Sequence, residues 1–445
     1  MRYKKRLFIG ITAFSFFIST LMSNFTSAAV TGNNILVNFD YSGSTVANGT
    51  ALNGKLSDNG EFAFWVSSSG NLVDGIPAGG RRVYKRDLST NVTSLVTKFA
   101  NDTPLSLSSE YDYSTSMSGR YIVFSSSASN IVTTHTVTNG QKHVYLRDTV
   151  TGINTLVDQS ATGIIANASS GLRTPRVSDD GRFVVFDSNA TNLLGSSTAA
   201  SQNIFVKDMH AGKVIRITES LSGEVANGSL GGGVNNIFSS CDGSRIIFRS
   251  NSTNLTTYDD GEDNVYLVDI RDGFSITNLT HFANGGVNPI SMSCNGRYII
   301  VWSNATNITE DEVTGSVPHA FRYDLVNKEF LLVDKTSSGD VSTTGSTGGS
   351  VSNGGSVLFG SNDKDLVNPS ALYAPELYLR DLDAGTTEVV TIDASGIERG
   401  IHNVGPWFSH LNARGDKIFY TSTSNDLVPG VGSTSGVKAI VTTVD

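Results

Sequence analysis

The sequence predicts an all-β protein, a seven-bladed β-propeller with four antiparallel strands per blade. Three observations predict it: a turn phrase that occurs seven times, a second phrase at a near-fixed distance from the first, and chain ends that complement one another. The turn phrase is a small polar residue, a short Gly-containing turn and an apolar strand. Ser57-Asp58-Asn59-Gly60 precedes Phe62-Ala63-Phe64-Trp65, and Ser178-Asp179-Asp180-Gly181 precedes Phe183-Val184-Val185-Phe186. The turn glycines Gly60, Gly119, Gly181, Gly243, Gly296, Gly355 and Gly415 stand 59, 62, 62, 53, 59 and 60 residues apart. Self-similarity at such a period marks a repeat architecture.

The second phrase reads Val83-Tyr84-Lys85-Arg86-Asp87 in the first unit and Val144-Tyr145-Leu146-Arg147-Asp148 in the second. Its closing Asp falls 26 to 29 residues after the turn Gly in six units, so each unit is one supersecondary module. Gly at the turns supplies positive φ for tight hairpins, and the apolar runs are rich in β-branched and aromatic residues. The closing Asp, often followed four residues later by Gly as at Gly152 and Gly212, suits a side-chain-capped turn. A fourth strand is expected directly after it, as in Lys213 to Thr218 and Glu388 to Ile392. Four antiparallel strands repeated seven times favour radial closure over a sandwich or solenoid.

The ends sharpen this reading. The seventh unit stops after its third strand, Lys438 to Thr442, whereas Asn34 to Asp40 stands before the first turn phrase with no partner of its own. That N-terminal strand leads into Val46-Ala47-Asn48-Gly49, as the fourth strand of the third unit leads into Val225-Ala226-Asn227-Gly228. It is therefore expected to complete the last blade and remove an open sheet edge.

The chain divides into a leader segment and one domain. Residues 1–29 carry a basic start (Arg2, Lys4, Lys5, Arg6), an apolar stretch from Leu7 to about Met22 and the small-residue end Thr26-Ser27-Ala28-Ala29, the pattern of a cleavable signal peptide. Residues 30–445 are the single-domain propeller. The apolar run is short for a bilayer span, and no later stretch is apolar enough to cross a membrane. Export to the periplasm or the exterior is the expected address. Loss of the leader's four cations takes the formal net charge from −9 to −13, which gives no support for nucleic acid as partner.

The phrases Val177 to Ser188, Asn189-Ala190-Thr191-Asn192-Leu193 and Val144 to Asp148 resemble TolB-like, WD-repeat-like propeller repeats of exported bacterial proteins, and the resemblance covers nearly the whole mature chain. Such families include binding scaffolds, envelope-assembly partners and the propeller parts of peptidases, so the resemblance implies fold rather than activity. In related repeats the loop between the second and third strands often carries an acidic, Gly-containing phrase able to hold a cation. Here Asp259-Asp260-Gly261-Glu262-Asp263 keeps something like it, with Tyr258 in place of the leading acid. Asp259, Asp260, Glu262 and Asp263 are thus candidate Ca²⁺ ligands by their hard oxygens; the alternative is a solvated acidic loop, and no other cofactor is expected.

Cys241 and Cys294 each stand two residues before the turn Gly of consecutive units, hence at equivalent places on neighbouring blades. They either form a disulfide, which needs Cα atoms within about 7 Å, or remain two half-buried thiols. Lys55, Tyr113, Arg173, Arg176, Trp407 and His410 fall on or near the innermost strands and are candidates to grip a ligand in the central channel, against a reading as packing residues. No catalytic constellation accompanies them. Gly432-Ser433-Thr434-Ser435-Gly436 has Thr where a nucleophile elbow needs Ser, Ser435 to Lys438 matches S-x-x-K without its partner motifs, and H-E-x-x-H is absent. N-x-S/T sequons such as Asn189-Ala190-Thr191 fall inside the repeated phrase, where a turn role accounts for them. The function expected is a non-enzymatic binding or scaffold propeller of the bacterial envelope or exterior, holding a protein or glycan partner. The alternative is a propeller enzyme acting on polysaccharide or peptide in the channel.

Overall fold

The seven turn phrases become seven hairpins. In the first, Ser57 Oγ accepts from Phe62 N at 2.9 Å and donates to Asn59 Oδ1 at 2.7 Å, while Gly60 takes φ +65°. The same hydroxyl contact recurs at Ser178 with Phe183 N (2.8 Å) and at Ser293 with Tyr298 N (2.9 Å), so the small polar residue that opens each phrase is the turn's own hydrogen-bond partner. The computed structural model describes residues 30–444 except 44, 136, 138–139, 195–201, 232–235, 272, 373, 394, 399–408 and 429–436. Residues 1–29, where a signal peptide is expected, Trp407 and the Gly432 to Gly436 motif lie outside the described residues.

The chain forms seven four-stranded antiparallel sheets, and in the first six the spatial order of strands follows the chain. The innermost strands are Leu52–Leu56, Tyr113–Thr115, Arg176–Val177, Ile237–Ser239, Val287–Met292, Thr347–Val351 and His410–Leu411. The seventh blade has His410–Leu411, Lys417–Ser422 and Lys438–Thr443, with Ile35–Leu36 as its outer strand. Ile35 pairs with Val441 and Leu36 with Ile440, and Val37 N donates to Ala439 O at 2.8 Å. Closure by the N-terminal strand is thus observed. The outermost strands are shorter than expected, Val214–Arg216 and Thr386–Val389 rather than 213–218 and 388–392. Beyond Arg216 regular pairing gives way to two contacts with Ile204, whose O accepts from Ile217 N at 2.9 Å and whose N donates to Thr218 Oγ1 at 3.2 Å, before the chain crosses to the next blade.

Hydrophobic packing lies between neighbouring blades. One cluster joins Phe64, Val66 and Val83 of the first blade to Tyr113, Ile122 and Phe124 of the second. The two repeated phrases contribute a stacked aromatic pair within a blade: Trp65 on Tyr84, Phe124 on Tyr145, Phe186 on Phe205, Phe248 on Tyr266 and Phe359 on Tyr378, with ring centroids 5.5 to 6.3 Å apart. Each pair consists of cross-strand register partners, which is why the aromatic positions recur in the sequence. The closing Asp caps its hairpin as expected. Asp148 accepts from Val150 N and pairs with Arg120 at 2.8 Å, and these contacts, the Arg120 bond foremost, hold its carboxyl at about 2.

A belt of hydrogen bonds links the seven inner turns. Asp58 N donates to Met117 O, Ser118 N to Asp179 Oδ1, Asp179 N to Cys241 O, and Cys241 N to Cys294 O, all between 2.6 and 2.8 Å. Asn295 N then donates to Asn353 Oδ1 (2.8 Å), Asn353 N to Ala413 O (2.7 Å), and Asn412 Nδ2 to Asp58 O (2.9 Å), which returns the belt to its start. Within it Cys241 and Cys294 are joined as a disulfide with Cα atoms 4.7 Å apart.

Candidate functional site

The inner strands enclose an axial cavity of about 210 Å³. Three of these strands carry irregularities in register, at Leu52/Lys55, Pro289/Ser291 and Thr347/Ser350. Such a break re-aims the side chain that follows it. In the first blade the break comprises Asn53, at φ +48°, and Gly54, against which the seventh blade packs so closely that a Cβ there would stand 1.7 Å from the Phe419 ring. Tyr113 fixes this break from the second blade: its buried hydroxyl donates to Asn53 O at 2.6 Å, and Asn53 Nδ2 donates to Glu110 O at 2.7 Å.

Lys55 follows directly and lines the cavity together with Arg176 and His410. These are the charged or titratable side chains among its described lining residues, which include no Asp or Glu. Arg176 is anchored, donating Nε to Ile237 O at 2.7 Å with its guanidinium 4.5 Å from the Phe238 ring centroid. Leu56 N donates to His410 Nδ1 at 3.3 Å, which assigns the ring proton to Nε2 in the neutral imidazole. Lys55 Nζ has no hydrogen-bond or ion-pair partner among the described residues.

The electrostatics follow from this enclosure. Burial, then the neighbouring Arg176 charge, pulls the Lys55 amine down to about 7. Burial lowers Arg176 to about 10, which leaves it charged. Burial followed by the charges of Lys55 and Arg176 drives His410 well below its ordinary value, so its imidazole is neutral at pH 7. The site therefore holds a fixed cation, a titratable amine and an uncharged ring.

The other sequence candidates lie elsewhere. Tyr113 packs between blades and supports the Asn53 break rather than lining the cavity. Arg173 is buried, donates to Leu230 O and Gly231 O, and stands 3.6 Å from the Asp187 carboxylate. Trp407 is outside the described residues. The four acids of the 259–263 loop share a loop but are engaged separately. Asp259 accepts from Leu255 N (2.6 Å), Thr256 N (2.7 Å), Thr256 Oγ1 (2.6 Å), Tyr266 OH (3.0 Å) and Asn278 Nδ2 (3.3 Å). Asp260 accepts from Glu262 N and Asn264 Nδ2, Asp263 pairs with Arg249, and Glu262 is exposed. Among the described residues no group of three His, Cys, Asp or Glu side chains is placed to hold a metal ion.

Sequence reasoning missed a clasp between blades. Asn167 Nδ2 donates to Thr191 Oγ1 (2.9 Å) while Thr191 N donates to Asn167 Oδ1 (3.0 Å), and Asn227 with Thr253 and Asn284 with Thr306 repeat the exchange. Its signal was present: each sequon Thr of the repeated phrase is preceded some 22 to 26 residues earlier by an Asn of the blade-to-blade link. In this arrangement Thr191 and Thr306 are bound within the fold.

No protein-family model matches the chain, and no curated protein is similar to it in sequence. Solved structures are similar in fold. The chain is a seven-bladed β-propeller. Oligogalacturonate lyase from Vibrio parahaemolyticus superposes with a TM-score of 0.51 at 11% identity, over 94% of this chain and 96% of that one. TolB from Acinetobacter baumannii gives 0.37 at 12% identity, over 82% and 76%. A TolB candidate from Agrobacterium tumefaciens gives 0.38 at 16% identity, over 64% and 80%. Identities this low establish architecture and leave function to the site. Among the described residues no helix is long and apolar enough to cross a membrane.

Proposed function

We propose that this protein is a non-enzymatic binding propeller, exported to the bacterial envelope or exterior, which holds a protein or glycan partner at its axis. One observation carries the reading. Three blades, far apart in sequence, deliver Lys55, Arg176 and His410 to one cavity whose described lining has no acid to neutralise them, although the chain as a whole is acidic. Lys55 is half-buried and its amine faces the cavity without a partner among the described residues; partial desolvation of a cation is costly, and an acidic group brought by a ligand would relieve that cost. The leader pattern and the Cys241–Cys294 bond both suit an oxidising compartment.

A second reading, an enzyme acting in the channel, is favoured by a separate observation. Near neutral pH the cavity holds an uncharged imidazole and an amine lowered to about 7, two bases placed beside a fixed cation. The test follows thermal unfolding of residues 30–445 with acidic and neutral oligosaccharides and peptides, oligogalacturonate among them, and then analyses the same mixtures for product. A ligand at 100 times its Kd adds about 2.7 kcal/mol, which is readily seen. A shift abolished by Lys55→Met with the ligand recovered intact supports the binding propeller. Turnover lost in Lys55→Met supports the enzyme, and shifts indifferent to Lys55 remove the axis from both readings.

A further inference from the structure

We infer that the axial cavity is a subsite for one small hydroxylated carboxylate, a uronic acid unit, whose carboxylate sits with Lys55 and Arg176. The inference rests on the axial binding reading above and specifies its ligand. Charge comes first. Among the described residues Lys55 lacks a partner and Arg176 is held through its Nε and the Phe238 face alone, so the cavity offers two cationic groups and no described acid. An anion is the complement, and a carboxylate matches a guanidinium beside an ammonium through short charge-assisted hydrogen bonds.

Size and polarity narrow the class. A volume of about 210 Å³ lies below the roughly 300 Å³ at which drug-sized sites begin, so the occupant is a single small unit or the end of a chain. About half of the remaining wall is polar, with Ser114, Thr115, Ser239, Ser291 and Ser350 from four blades and Asn53, and the rest is apolar; Ser114 Oγ, Ser350 Oγ and Asn53 Nδ2 are engaged by Pro175 O, Leu411 N and Glu110 O. Ser291 Oγ is buried without a hydrogen-bond partner among the described residues. Phe238 is the one aromatic side chain in the described lining, and its face is already covered by Arg176. A wall that mixes hydroxyls, the unpartnered Ser291 among them, with apolar surface matches the hydroxyl edges and C–H faces of a sugar ring, whereas a purely apolar side chain would leave Ser291 unpaired. Gly348 and Gly349 present main chain to the cavity beside Ser350 and Val351 of the same strand.

The test is calorimetric titration of residues 30–445 with sodium D-glucuronate, D-glucose, inorganic phosphate and an acidic peptide, repeated on Lys55→Met and Lys55→Gln. The expected result is binding of glucuronate, at least tenfold weaker binding in both variants, and no binding of glucose. Both variants are checked for the wild-type melting transition, and the second keeps the test valid should the first misfold. Phosphate binding as tightly as glucuronate would overturn the sugar part of the inference. A Lys55-dependent response to the peptide without one to glucuronate would overturn the ligand class and leave the axial reading standing. No Lys55-dependent response in any arm would overturn both.

Discussion

The acidic loop at 259–263 and the axial cavity are both clusters of charge, and they differ in what their charges touch. Asp259 accepts hydrogen bonds from five donors of its own blade, and Asp263 is paired with Arg249. Lys55 has no described partner, and the charges nearest it have its own sign. A cluster whose lone pairs are filled by the fold holds the fold together, while one whose donors are unfilled is available to a ligand. The comparison teaches that residue type at a position does not separate structural charge from functional charge; partner counting does.

The largest effect bears on the frame that keeps both regions in place. Deleting residues 30–42 removes the outer strand of the seventh blade and exposes the edge of Lys438–Thr443. The expected loss is on the order of the whole folding stability, and scanning calorimetry should show the cooperative transition lost. Next comes the inner belt beside the cavity. Replacing Cys241 and Cys294 together by Ala opens a covalent loop of sequence separation 53, for which the chain-entropy model gives about 4 kcal/mol; denaturant unfolding of variant and parent measures it.

Asp259→Ala addresses the acidic loop directly. It strands several donors, including the Leu255 and Thr256 amides, and should cost about 3 kcal/mol, while Glu262→Ala stays within about 0.5 kcal/mol. Equal effects from the two would break the comparison. If Asp259 instead serves a bound Ca²⁺, its variant should abolish a Ca²⁺-dependent rise in melting temperature that the parent shows; the filled lone pairs predict no such rise.

Lys55→Met should act in the opposite sense, raising stability by on the order of 1 kcal/mol near pH 6, because it removes an unpaired charge from an enclosed site. The pH dependence follows from the lowered amine. Below about 7 the folded protein carries the half-buried charge and the full penalty applies. Between about 7 and the ordinary lysine value of 10.5 the unfolded chain holds a proton that the folded one has released, so wild type recovers stability relative to the variant as pH rises. Binding of an acidic ligand should weaken over the same rise, since the attracting charge is lost.

The residues that made the fold legible are those that act locally. Ser178, Gly181 and Asp208 form a turn or cap through neighbours a few residues away, so their recurrence carries the hairpins, and the spacing of the phrases carries the ring. Lys55, Arg176 and His410 were legible as residues near the axis. What the sequence did not show was their mutual arrangement, which depends on the break at Asn53 and Gly54 that Tyr113 braces from the next blade. The pairing of Cys241 with Cys294 stayed open because the belt bonds that draw these turns together, Asp179 N to Cys241 O and Cys241 N to Cys294 O, are main-chain bonds that leave little trace in side-chain identity. The five donors around Asp259 come partly from residues 7 and 19 positions away, beyond the reach of a motif.

The central claim, that the axis holds a half-buried cation without a partner among the described residues, is tested most directly by NMR titration of the Lys55 side-chain signal in protein labelled at lysine, assigned with Lys55→Met. The account predicts a midpoint near 7, rising when glucuronate is bound. A midpoint near 10.5, unmoved by any acidic ligand, would show a solvated or already paired amine and would contradict it.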